Sequence, residues 1–132
     1  MGRETLTKAK VTFDMKQLRI RVYKETLRHM GNPSYIQLLV HPEDGAFAIR
    51  CVTKSEKPNF RVNWKYLTGN SSKSYEINSS FFIWKLVEQL GLDWSPSFIY
   101  RMQGDIYPEK GLAVFHPSSA EQVSSDGEYD GE

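Results

Sequence analysis

Leu18-Arg19-Ile20-Arg21-Val22-Tyr23-Lys24-Glu25-Thr26-Leu27-Arg28-His29-Met30-Gly31 changes its period halfway along. Leu18, Ile20 and Val22 alternate with Arg19 and Arg21, the pattern of a strand with one apolar face. Lys24 to Met30 then reads as a short helix, closed by Gly31 as its C-terminal cap and by Pro33 beyond it. Upstream, Val11, Phe13 and Met15 alternate with Thr12 and Asp14, which predicts a further strand. Downstream, Tyr35 to Val40 and Ala46 to Val52 read as two strands. They are joined by His41-Pro42-Glu43-Asp44-Gly45, where proline fixes φ and glycine supplies a positive one.

This strand–helix–hairpin order returns in the second half. Pro42-Glu43-Asp44-Gly45-Ala46-Phe47-Ala48-Ile49 has its counterpart in Pro108-Glu109-Lys110-Gly111-Leu112-Ala113-Val114-Phe115. Pro33-Ser34-Tyr35-Ile36 is answered by Pro96-Ser97-Phe98-Ile99, and Met30-Gly31 by Leu90-Gly91. Ahead of these lie a strand-like Tyr75 to Ile77 and a longer helix. Ser79 or Ser80 caps that helix, and Phe82, Leu86, Val87 and Leu90 share one of its faces. Phe98 to Met102, Ile106-Tyr107 and Leu112 to Phe115 complete the second unit as strands. Two copies are too few for a solenoid but suit a closed domain with a pseudo-twofold axis. The expected fold is mainly β with two helices (α+β), a tandem βαββ repeat. Its halves run over about 8–52 and 73–117 and are joined by 53–72, giving one domain over 1–117. In the link, Phe60, Val62, Trp64 and Tyr66 alternate with Arg61, Asn63 and Lys65, which predicts one more amphipathic strand. Trp84 and Trp94, with Phe81 and Phe82, are expected in the core of the second unit.

Charge is unevenly spread. The 132 residues hold 17 Lys and Arg against 16 Asp and Glu, yet residues 1–70 carry a net +7 and residues 71–132 a net −6. Residues 118–132 hold five acids and no base among several serines and glycines, too little apolar surface to repay ordering, so an acidic disordered tail is expected there. The single cysteine, Cys51, excludes an internal disulfide framework and a cysteine-based zinc site and suggests a reducing compartment. Without an apolar run long enough for a membrane span, or a signal-peptide core at the N-terminus, the expected setting is the cytoplasm.

Leu18 to Gly31 resembles the core signature of AbrB-type swapped-hairpin DNA-binding domains, which runs Gly-Arg-apolar-x-apolar-Pro-Lys-Glu-apolar-Arg-x-x-Leu-Gly. Arg19, Lys24, Glu25 and Gly31 fall on matching positions; Leu18 stands where the family prefers glycine and Tyr23 where it prefers proline. The resemblance covers residues 11–52, with a fainter echo at 73–115. It implies that two βαββ units interleave their hairpins into one small barrel, here fused in a single chain. It also implies that basic residues around the first loop and helix meet DNA.

The residues support such a surface independently. With Leu18, Ile20 and Val22 inward, Arg19 and Arg21 project from the opposite face, and Lys16, Lys24 and Arg28 lie close in sequence. These five cations are the candidate nucleic-acid contacts, suited to phosphate neutralisation and, for arginine, to bidentate contact with guanine. The link offers a second cationic stretch in Lys54, Lys57, Arg61, Lys65 and Lys73. The other class is a protein–protein interaction module that binds no nucleic acid. The face opposite Ile20 and Val22 separates the two, because a DNA binder keeps it clear of acids such as Glu25 and Glu76. No catalytic or cofactor site is expected. His29, His41 and His116 lack metal-ligand spacing, and there is no phosphate-binding glycine loop or nucleophile elbow. The chain is expected either as a monomeric pseudo-dimer or as a homodimer.

Overall fold

Asp14 closes the first strand and starts the turn that follows it. Its Oδ1 accepts the backbone N–H groups of Lys16 (3.0 Å) and Gln17 (3.1 Å). An aspartate bonding its own backbone two residues on competes with strand continuation, which is why the chain turns here. Leu18 completes the turn at φ 54°. The computed structural model describes residues 7–68 and 74–123. On either side of this turn lie β1 (Thr7–Asp14) and β2 (Arg19–Tyr23), paired antiparallel with Phe13 opposite Ile20.

The chain enters α1 (Lys24–His29) directly from β2. Gly31 at φ 110° ends the helix as expected, with the Asn32 amide returning to the Leu27 carbonyl at 3.1 Å. Next come β3 (Tyr35–His41) and β4 (Ala46–Val52), joined by a single 3-10 turn at Pro42–Asp44 that Gly45 closes at φ 61°. The second half holds β6 (Ser74–Asn78), α3 (Ser80–Leu90), β7 (Ile99–Tyr107) and β8 (Leu112–Phe115). Another Pro-led 3-10 turn, Pro108–Lys110, joins the last two strands and ends on Gly111 at φ 59°. Ser79 caps α3, its side chain accepting the Phe82 N–H at 3.3 Å.

Three expectations change. The strand expected over Phe60 to Tyr66 is only β5 (Phe60–Arg61), followed by α2 (Trp64–Thr68). β5 pairs with Tyr35 and Ile36 at the very start of β3, and its last bond is the Val62 amide to the Ser34 carbonyl at 2.8 Å. Beyond that point the partner strand has ended, so the backbone satisfies itself as a helix turn. Trp64 and Leu67 still face inward, a spacing that fits the helix. Second, the two short strands expected at Phe98–Met102 and Ile106–Tyr107 are one continuous β7. Third, part of the expected acidic tail is structured. Pro117–Ser119 makes a 3-10 turn and β9 (Glu121–Val123) pairs with Ile99–Arg101. Residues 124–132 of that tail, and Lys73 of the link, lie outside the described residues.

The strands run β5-β3-β4-β8-β7-β1-β2-β6, all antiparallel, in a nearly closed barrel. β7 holds β1 along one edge and, on the other, β8 over Gly104–Tyr107 and β9 over Ile99–Arg101. The two β hairpins meet through β4 and β8, with Phe47 opposite Phe115 and Ile49 opposite Ala113. Inside, Phe13, Phe47 and Phe115 are fully buried. Phe47 stands edge-on to Phe13 and stacks with Phe115, both at 5.4 Å. Trp94 stacks on Tyr100 at 4.6 Å and caps this cluster beside Phe13. Each of these rings removes a large apolar area from water, a contribution of roughly 1.5–3 kcal/mol apiece.

Candidate functional site

Ile20 and Val22 are fully buried and Arg19 and Arg21 face outward, as the alternation requires. What they face is acidic. β6 pairs with β2 so that Glu76 stands directly opposite Arg21. Its carboxylate takes the Arg21 Nε at 3.2 Å and the Arg19 Nη1 at 3.4 Å. Arg19 also donates from Nε to Asn78 Oδ1 at 3.4 Å, and Arg21 Nη2 lies 3.9 Å from the nearly buried Asp14 Oδ2. The pair of arginines therefore forms a charge-balanced cluster with Asp14 and Glu76, its cations turned along the sheet surface.

The other three candidates are dispersed around this cluster. Lys16 is exposed on the β1–β2 turn. Lys24 sits at the first position of α1 and donates its Nζ to the Leu67 carbonyl of α2 at 3.2 Å. Arg28, one helix turn on, bridges Glu25 at 3.2 Å, with both side chains largely in water where such a pair contributes little. Glu76 thus stands beside the two strand arginines and Glu25 beside Arg28, so acids lie among the candidate cations.

The link carries the more open cations. Lys54, Lys57, Arg61 and Lys65 are exposed, while Val62 is buried and Phe60 and Trp64 pack on the core. The Trp64 indole donates to the Pro33 carbonyl at 2.6 Å, so this ring is held against the barrel. The Glu56 carboxylate accepts the Thr53 amide at 2.7 Å and the Thr53 hydroxyl at 3.1 Å, and it bridges Arg50 at 3.1 Å. The backbone and hydroxyl bonds from Thr53 hold Glu56 below the ordinary carboxylate range, with Arg50 adding to them.

The sequence reading missed the outer face of α3. Phe82, Ile83 and Leu86 point into the barrel, but Phe81 and Trp84, expected in the core, project into solvent at 79% and 43% exposure. With Ser80, Lys85, Glu88 and Gln89 they line one shallow surface. Phe81, Trp84, Lys85 and Glu88 follow an i, i+3, i+4, i+7 spacing, a second stripe opposite the core-facing one. That stripe was the available signal. An exposed large apolar pair is informative in a way that a buried one is not.

Chemistry-bearing groups do not converge. Among the described residues no cluster of three His, Cys, Asp or Glu has metal-site geometry, and no helix is long and apolar enough to cross a membrane. His29 bonds the Glu25 carbonyl and His41 lies 3.1 Å from Asp44, both on the surface. The Cys51 thiol is half-buried beside Gly111 and contacts the Met30 carbonyl at 3.4 Å; burial pushes its pKa up, away from nucleophilic thiolate.

The fold and surface thus define a nearly closed antiparallel β-barrel with an aromatic helix face and a charge-balanced β2–β6 face. No protein-family profile, curated protein or solved structure matches the chain.

Proposed function

We propose that this barrel is a protein–protein interaction module that presents the outer face of α3 to a partner. The observation that carries the reading is the exposure of Phe81 and Trp84 on a helix whose other face is fully committed to the core. Aromatic anchors ringed by charge are the composition of interface centres, and Lys85 and Glu88 flank this pair. The partner that fits is an apolar protein surface with acidic and basic groups at its rim. Replacing Phe81 by the photocrosslinker p-benzoylphenylalanine tests it in the protein's native cells. A discrete adduct displaced by excess wild-type chain, but not by Phe81→Ser/Trp84→Ser, supports the reading. Diffuse adducts, or equal displacement by both competitors, overturn it.

We also infer that the barrel is a pseudo-twofold pair of βαββ halves of swapped-hairpin type. The support is local: the matched Pro-led turns ending in Gly45 and Gly111, and the mutual pairing of β4 with β8 and β2 with β6. In such an arrangement the Ala48–Val114 and Arg21–Glu76 cross-strand pairs lie on the axis.

A second reading, duplex DNA binding in the manner of AbrB-type domains, is favoured by one observation, the four exposed cations of the link. Lys54, Lys57 and Arg61 would supply phosphate contacts that Arg19 and Arg21, held by Glu76, supply less readily. A salt series with random duplex DNA decides it. Each phosphate contact contributes about 0.9 to the slope of log K against log salt, so Lys54→Ala/Lys57→Ala should lower that slope by about 2. Absence of binding at low salt removes this reading.

A further inference from the structure

Among the described residues the barrel is open along one edge of β3. On its inner side β3 pairs with β4 over its whole length, Tyr35 opposite Val52 through His41 opposite Ala46. On its outer side β5 covers only Tyr35 and Ile36. In register, the next residues of the link would be Asn59 and Pro58; proline has no N–H to continue a ladder, and the pairing stops. Gln37 to His41 therefore have no strand on their outer edge among the described residues.

Which backbone groups point outward follows from two hydrogen bonds. The Ser34 carbonyl accepts the Val62 amide on the β5 side. In an antiparallel strand a residue's N–H and C=O point the same way and alternate along the chain, so Ile36, Leu38 and Val40 share that side. The other hydrogen bond agrees. The Cys51 amide donates to Gly111 on the β8 side, so Arg50, Ala48 and Ala46 turn toward β3 and bond Gln37, Leu39 and His41. Leu38 and Val40 are left with their N–H and C=O directed away from the barrel, on an edge that also shows Leu39 at 38% exposure.

Natural sheets blunt such edges with lysine, proline or a bulge. Gln37-Leu38-Leu39-Val40 has none of these, whereas the opposite edge strand, β6, carries Ser74, Glu76 and Asn78. We infer that the β3 edge is a docking surface for a second copy of this chain, joined antiparallel about a twofold axis at Leu39. The register is self-selecting. Centred on Leu39, Leu38 of each copy meets Val40 of the other, and every outward N–H and C=O finds its complement. Centred on Leu38, Val40 would meet Ile36, whose outer side β5 already holds. Centred on Val40, Leu38 would meet Pro42, which has no N–H. Only the Leu39 register satisfies both residues. It also sets Leu39 against Leu39 of the second copy on the exposed face, flanked by Gln37 against His41, an amide and an imidazole able to bond.

The interface is small and the association correspondingly weak, so it is read against concentration. It is independent of the α3 face proposed above, and the test separates them. Sedimentation of the full chain should show the mass rising from 15.3 kDa toward twice that value as concentration increases. In a Cys51→Ser background, Leu39→Cys should give a disulfide-linked dimer under mild oxidation. A non-hydrogen-bonded antiparallel pair holds its Cα atoms about 4.5 Å apart, within disulfide range. Gln37→Cys and His41→Cys should not link singly, but should link when mixed. Val40→Pro removes an outward N–H while keeping an apolar side chain on the core side, and should abolish dimerisation while circular dichroism stays native. Phe81→Ser/Trp84→Ser should leave it intact. A chain that stays monomeric, a dimer in which Leu39→Cys fails to link, or one dissolved by the α3 double variant overturns the inference. So does a β3 edge that captures an extended peptide but never a second copy.

Discussion

Arg21 lies across the sheet from Glu76, Nε to Oε2 at 3.2 Å, while its other guanidinium nitrogen reaches toward the nearly buried Asp14 at 3.9 Å. The two acids are not equivalent partners. Asp14 sits at the base of the β1–β2 turn and already accepts two backbone amides, whereas Glu76 is well exposed. Removing the arginine therefore leaves one carboxylate in water and one, nearly buried, without the guanidinium beside it.

This asymmetry sets the expected mutant energies. Arg21→Ala should destabilise the fold by about 1–3 kcal/mol, the cost of leaving a buried polar group short of its partner. Glu76→Ala should cost within about 1 kcal/mol, as an exposed ion pair does. Urea unfolding of the two variants and their double mutant checks this, and equal costs for the two single changes would contradict the assignment.

On α3 the contrast runs between neighbours in sequence. Leu86 is fully buried, so Leu86→Ala should cost about 2–5 kcal/mol by opening a cavity. Phe81→Ser should shift stability by no more than about 0.5 kcal/mol, because its ring already stands in water. Thermal unfolding separates the two outcomes, and a large loss for Phe81→Ser would show the ring to be structural.

Gly104 has no room for a side chain. A Cβ there would meet the Val114 carbonyl oxygen and lie 2.7 Å from the Phe115 Cδ2, on the adjacent strand. Backbone cannot step aside as a flexible side chain can. Gly104→Ala should therefore cost about 1–3 kcal/mol or more and loosen the β7–β8 ladder, read as faster amide exchange at Val114 and Phe115.

Tyr75 ties the barrel's two ends, its hydroxyl donating to the Arg61 carbonyl of β5. Burial pushes its pKa up to about 12 from an ordinary 10. The folded state thus holds the proton more tightly than the unfolded chain. Stability from this group is intact below pH 10 and falls between about pH 10 and 12, as the unfolded phenol ionises first. Tyr75→Phe should lose about 1 kcal/mol at neutral pH and should unfold with a shallower alkaline decline than wild type. Parallel alkaline slopes for the two proteins would refute the role.

Local signals carried much of this fold. Ala46 to Val52 and Leu112 to Phe115 are strands from end to end, and Gly31, Gly45 and Gly111 sit where the chain needs positive φ. These features depend on near neighbours, which a sequence displays. Alternation over Phe60 to Tyr66 fits a strand, but the partner strand that would sustain it ends at Tyr35. Aromatic rings bury well, yet Phe82, Ile83 and Leu86 fill the inward stripe of α3 and leave Phe81 and Trp84 outside. The five candidate cations were legible as residues. Glu76, more than fifty positions from Arg21, became their neighbour only through the β2–β6 pairing.

The pairing of β1 with β7 has a consequence for synthesis. Thr7 meets Ile106 and Asp14 meets Ile99, so the first strand made waits for one of the last. At ordinary ribosomal speed that interval is roughly 5–20 s, during which Val11 and Phe13 have β2 beside them but lack β7, and Ala9 lacks its β7 partner Gly104. The barrel seals only when β7 leaves the exit tunnel. A ribosome stalled near Leu90 would therefore present a half-finished sheet with its apolar seam open, a substrate for chaperones.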